Sequence, residues 1–231
     1  MKLVTNEKLI ESRTRIAKLA NFGGLGILIL AMALSFRPGK IIWAYVALIL
    51  GLVLVSVATY NASKWVKEPR SDQLLAKAMK GFGRNYRLYN YTLPVDHALL
   101  CPYGLLILKV KGQEGEIGCQ GKKWHRKFSL RRLWELFFQE SLGNPTMEVQ
   151  REIEALRRFI GSAGLSPDAE VPIEGVIVFT NPKAKLEISD PLVPVVHLKE
   201  LKPFLRKLRG RSPIPEDTHK ALARFFDEAS T

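Results

Sequence analysis

The chain is poor in cysteine, holding only Cys101 and Cys119, with no C-x-x-C pair. Its four histidines, His97, His125, His197 and His219, show no ligand spacing, so no zinc-finger pattern is present. A reduced cytosolic pair of thiols fits this usage better than a disulfide. There is no internal repeat and no long low-complexity tract. Acidic residues are also scarce: 22 Asp and Glu face 35 Lys and Arg, a net charge of +13. A surface this basic suits nucleic acid and suits an anionic cytoplasmic leaflet equally well. At 231 residues the chain accommodates one ordinary domain and an appendage.

Charge is missing altogether from residues 19–36 and 41–60, which are predominantly apolar. As helices these runs span about 27 and 30 Å, matching the ~30 Å hydrocarbon core of a bilayer. In lipid every backbone amide needs an internal partner, so helix is the expected conformation. Arg37-Pro38-Gly39-Lys40 is the turn between them, and Trp43, Tyr45 and Tyr60 lie near run ends, where amphipathic rings prefer the interface. Lys2, Lys8, Arg13, Arg15 and Lys18 precede the hairpin and Lys64, Lys67 and Arg70 follow it, against Arg37 and Lys40 in the turn. The positive-inside rule then predicts a multi-pass protein of the inner cell membrane with both termini cytoplasmic. A cleaved signal peptide is disfavoured by the second run, and a soluble helical hairpin by apolar residues on all faces. Gly23, Gly24 and Gly26 would let the helices approach closely. The expected boundaries are a tail at 1–18, the hairpin at 19–60, a linker at 61–70, a cytosolic domain at 71–210 and a C-terminal helix at 211–231.

Past the linker, Ser71 caps a predicted helix with Leu74, Leu75, Ala78 and Met79 as its buried stripe. Residues 86–91, 95–101 and 105–111 are strand-like, followed by a short strand at 116–119. Residues 121–142 interleave Lys122, Lys123, Arg126, Lys127, Arg131 and Arg132 with Trp124, Phe128 and Trp134. That mixture suits phosphates and bases, an inner-leaflet patch, or a solvated loop with a short helix. Asn144-Pro145 opens a helix whose buried face is Val149, Ile153, Leu156 and Ile160. Residues 173–180 read as a central strand and 193–197 as another, before helices at 198–208 and 215–229. Strands alternating with helices predict an α/β domain.

The stretch from Val95 to Gly112 carries the chemistry. Asp96-His97 opens an apolar run, Pro102-Tyr103-Gly104 turns the chain, and the next run ends in Lys109-Val110-Lys111. Together with Gly115-x-Ile117, Trp124, Asn144-Pro145, Val176 to Phe179 and Val195-Val196, this order resembles the NERD (nuclease-related) domain of the PD-(D/E)xK superfamily, over about residues 70–208. The resemblance implies a restriction-endonuclease-like mixed sheet flanked by helices, here preceded by a transmembrane hairpin, and metal-assisted phosphodiester hydrolysis. By the same resemblance Asp72 matches the helix acid, Asp96 the first metal carboxylate and Lys111 the catalytic lysine. The second carboxylate falls on Lys109. An ammonium cannot ligate Mg²⁺, and Glu114, Glu116 and Glu148 are the substitutes to consider. Alternation along a strand puts Lys109 and Lys111 on one face and His97 opposite Asp96, where a structural role is expected of it. Without the resemblance, Asp96 is a turn residue, Asp72 a first-turn helix acid, and the two lysines edge-strand protectors.

Three functions follow. One is a degenerate NERD-like domain that binds nucleic acid or phosphate through Lys109, Lys111 and the segment Lys122, Lys123, Trp124, Arg126 and Lys127, with no cofactor. Another is an active Mg²⁺-dependent DNA nuclease. The third is a non-catalytic membrane scaffold whose partner is lipid or protein.

Overall fold

The computed structural model describes residues 1–127, 142–162 and 171–230. Phe128, Arg131, Arg132 and Trp134 of the basic stretch lie outside the described residues. In chain order the elements are β1 (Lys2–Thr5), α1 (Glu7–Ser35), α2 (Ile41–Trp65), α3 (Ser71–Ala78), β2 (Arg87–Asn90), β3 (His97–Cys101), β4 (Gly104–Lys111), β5 (Gly115–Gln120), β6 (Lys123–Arg126), α4 (Pro145–Ser162), β7 (Ile173–Phe179), β8 (Ala184–Ser189), β9 (Val195–His197), α5 (Leu198–Lys207) and α6 (Glu216–Ala229). The chain divides into a helical unit, from Glu7 to Arg70, and an α/β unit built from Met1–Asn6, Ser71–Lys127 and the residues from Leu142 onward.

The helical unit is a hairpin of two helices, each long and apolar enough to cross a membrane. Ile10, Ala17, Gly24 and Ala31 of α1 are buried at intervals of seven, and so are Ala44, Gly51, Ala58 and Trp65 of α2. Seven is two turns of a helix under-wound to 3.5 residues per turn, so each set forms one seam. Small side chains along the seam let the backbones come close. A Cβ on Gly24 would sit 2.9 Å from Val55, and one on Gly51 would sit 2.7 Å from Leu28. Gly23 and Gly26 face open space, so of the three expected packing glycines only Gly24 acts at the seam. Leu19, Phe22, Ile42, Trp43 and Ile49 are exposed on the outer faces. Both helices overrun the uncharged segments, because α1 begins at Glu7 and α2 continues to Trp65.

In the α/β unit a six-stranded mixed sheet runs in the order β1-β2-β3-β4-β7-β9. β2, β3 and β4 form an antiparallel meander, while β1 joins β2, β7 joins β4 and β9 joins β7 in parallel. Residues 2–5, expected as tail, are therefore an edge strand that the chain completes only after the hairpin. Alternation gives the central strands two buried faces. Leu99, Cys101, Leu106 and Leu108 meet Leu75 of α3, Met79 just past its end, and Leu201 and Leu205 of α5. Ala98, Leu100, Leu105 and Ile107 meet Leu156 of α4 and Leu222 and Phe226 of α6. The C-terminal helix thus belongs to the domain core. β4 lies between β3 and β7, but its ladder with β3 ends at Ile107, and Lys109 and Lys111 pair with β7 alone. A second sheet, β6-β5-β8, carries the residues 123–126 as a strand, where a loop and short helix stood as one expectation.

Candidate functional site

On β4 the period of two that buries Leu105 and Ile107 continues to Lys109 and Lys111, sending both ammonium groups to the α4 side. The helix above them is fixed at its start. Asn144 Oδ1 accepts the Met147 amide at 3.1 Å, an N-cap, with Pro145 at the first helical position. Asn144 Nδ2 also donates to the Lys122 carbonyl, and Trp124 Nε1 donates to Thr146 Oγ1 at 2.8 Å. Further along, Val149 lies over Gly175 of β7, where an added Cβ would meet Val149 Cγ1 at 2.0 Å. This seating turns Glu148 and Glu152, one helical turn apart, down onto the two lysines.

The result is a four-membered ion-pair chain. Lys109 Nζ donates to Glu152 Oε1 at 2.7 Å and lies 3.0 Å from Glu148 Oε2. Lys111 Nζ reaches Glu148 Oε1 at 2.9 Å and Oε2 at 3.0 Å, and its residue is 3% exposed. Burial opposes the charge on Lys109, but Glu152 and Glu148 outweigh it and hold the ammonium well above the usual lysine range. Burial likewise pushes Glu148 up, and the two lysines overcome it and leave its carboxyl below the ordinary glutamate range. Glu152 goes the other way: burial first, then the nearby charges of Asp96 and Glu148, raise its carboxyl against the pull of Lys109. Asp96 is therefore within electrostatic reach of Glu152. Glu152 Oε2 is buried with no hydrogen-bond partner among the described residues.

Asp96 closes the loop that leads into β3, its carbonyl accepting the Tyr91 amide at 2.8 Å. Tyr91 has the left-handed φ of 58° that this tight return requires. His97 is buried on the other side of the strand, with Nδ1 at 2.8 Å from Asn90 Oδ1 and Nε2 at 2.9 Å from Ser71 Oγ. Ser71 Oγ also lies 2.8 Å from the Tyr91 hydroxyl. This network joins the start of α3 to the Asp96 loop, and it uses both ring nitrogens of His97 for structure. Asp72 is buried at the head of α3.

The remaining expected residues separate. Glu116 pairs with Lys127 at 3.0 Å, so it does not replace the missing strand carboxylate, and Glu114 offers its backbone carbonyl to Arg126 Nε. Trp124 is partly buried and packs on Phe179, with ring centroids 6.1 Å apart, so much of its ring serves the core. Lys122 and Lys123 are exposed. Sequence reasoning missed Glu152, although its spacing of four from Glu148 on a helix over β4 was the available signal. Among the described residues no group of three or more His, Cys, Asp or Glu gathers as a metal cage.

A strand-turn-strand with an acid at its mouth and a lysine at its end, closed by a helix that begins Asn-Pro, is what a family comparison then decides. The model of the nuclease-related domain (NERD) matches residues 63–180, just over half the chain. This chain belongs to the NERD family. The NERD match takes in α3, both hairpin strands, α4 and β7, and hence every charged residue of the site. No curated protein and no solved structure matches the chain.

Proposed function

We propose that this protein is a membrane-anchored NERD-fold module that binds polyanions and does not cleave phosphodiesters. The observation that carries the reading is the ammonium of Lys109, held 2.7 Å from Glu152 and 3.0 Å from Glu148 where the family pattern places a second metal carboxylate. The donor set does not fit Mg²⁺. A divalent ion here would compete with Lys109 and Lys111 for both oxygens of Glu148 and one of Glu152, and it would stand beside two fixed positive charges. The same pairing supports a phosphate surface away from Lys109 and Lys111, since their charge is engaged by Glu148 and Glu152. The two candidate spans and the excess of cations flanking them support an anchor with both ends of the hairpin in the cytoplasm.

Purified full-length chain in detergent, given Mg²⁺ or Mn²⁺ and labelled double-stranded DNA, is expected to leave the DNA intact. Metal-dependent cleavage that Asp96→Ala abolishes would overturn the reading. One observation favours a second function, an active nuclease: Glu152 feels the charges of both Asp96 and Glu148, and Glu148 in turn holds Lys111. That cleavage experiment separates the two.

A further inference from the structure

The six-stranded sheet carries a basic helical layer that the residues 122–127 had obscured. On α5 and the turn that ends it, Leu198, Leu201, Leu205 and Leu208 form the stripe packed on the core. Lys199, Lys202, Arg206 and Arg209 repeat at the same three-, four- and three-residue spacing, one position on, and so form an adjoining stripe. The neighbouring α3 and its exit turn add Lys77 and Lys80, and Lys202 Nζ donates to the Lys80 carbonyl at 2.6 Å, joining the two groups. None of these six residues forms an ion pair among the described residues. Glu200 is the one exposed acid on the two helices, since Asp72 is buried.

We propose that this α3–α5 layer docks on the anionic headgroups of the leaflet in which the hairpin is anchored, an inference that rests on the anchor reading above. Six cations without an ion pair among the described residues, on two packed helices and the turns that end them, complement a negatively charged plane. Each basic side chain near such a leaflet adds about five-fold to the association. Lys77 and Lys80 also fall within the ~15–20 residues beyond a span where cations respond to the membrane. Phe82 and Tyr86 are buried in the core beneath, and Phe204 of α5 packs partly buried against the same core, so the cations rather than aromatic faces dominate what the layer presents, which suits headgroups better than base stacking.

The test uses the full chain in nanodiscs. Both native cysteines are buried, so a dye on Glu200→Cys reports energy transfer to a headgroup-labelled acceptor. Discs containing phosphatidylglycerol are expected to give about two-fold more transfer than pure phosphatidylcholine discs, and high salt or the combined Lys77→Glu, Lys199→Glu and Arg206→Glu variant is expected to erase that gain. No gain in anionic discs, or a gain that survives the triple variant, overturns the docking. A triple variant that keeps the lipid gain but loses DNA retention assigns the surface to nucleic acid and also overturns it. A chain that does not co-migrate with discs overturns the anchor, and docking falls with it; a chain that co-migrates without the gain overturns docking alone.

Discussion

Glu148 is the residue on which the site turns, because it alone serves both lysines. Removing its charge leaves Lys111, 3% exposed, without a carboxylate. Glu148→Gln is expected to lower the unfolding free energy by about 2 kcal/mol, below the usual value for a broken buried pair because Glu148 is partly solvated; urea denaturation measures it. The pH response has a definite sign. Glu148 has a folded value below its unfolded one, so its contribution is present above the ordinary glutamate value of 4.5 and is lost as pH falls through the lower folded value. Glu152, raised by burial, has the opposite slope and partly offsets it. Wild-type stability is expected to fall on acidification below about pH 4.5, and Glu148→Gln to flatten that limb. Lys109→Gln tests the charge arrangement directly. It leaves Glu148, Glu152 and Asp96 with one cation fewer, and calorimetry with Mn²⁺ is expected to show binding that wild type lacks; equal behaviour of the two would count against Lys109 as the excluding charge. Sequence alone put Lys109 and Lys111 on one face, because a strand's alternation is local. It could not reveal Glu148 and Glu152 as partners, because their approach depends on where α4 crosses β7, 37 and 43 positions away from the lysines they bind.

At the scale of elements, α4 is held to the sheet by an absence. Gly175 leaves the hollow that Val149 fills, and Gly175→Ala is expected to cost about 1–3 kcal/mol by overpacking and to lift Glu148 and Glu152 off the lysines. The check is a lowered denaturation midpoint together with loss of the flattened acid limb's contrast between wild type and Glu148→Gln. The hairpin uses the same device twice, at Gly24 and Gly51. Its seven-residue seam was written plainly in the sequence at Ala44, Gly51, Ala58 and Trp65, but uniform apolarity hides a seam when hydrophobicity is the only signal followed. The α/β strands and helices were legible from residue type and period. β1 was not, since Lys2–Thr5 is too short and too mixed to stand apart from a basic tail, and it becomes a strand only because β2 offers a parallel edge. The packing of Trp124 was equally hidden, because an aromatic among cations looks alike whether it stacks on a base or packs on Phe179.

For the whole molecule, the position of β1 limits how the protein can be divided. Lys2 and Arg87 share Asp227 of α6, and Tyr89 donates to the same carboxylate at 3.0 Å. A soluble fragment beginning near Lys67 loses one of these partners and the β1 edge, and is expected to unfold at lower denaturant than the full chain, measured by the same urea titration. Topology is testable with the native thiols buried: Pro38→Cys is expected to react with a membrane-impermeant maleimide from outside the cell, and Ser212→Cys only after permeabilisation. The two strands that meet at this edge, β1 and β2, stand on either side of the hairpin in the chain. A ribosome therefore delivers the first strand long before its neighbour exists, and it makes both apolar helices in the interval. The outer edge of the sheet can close only after the whole hairpin and β2 have emerged, which makes completion of the fold a late event in synthesis.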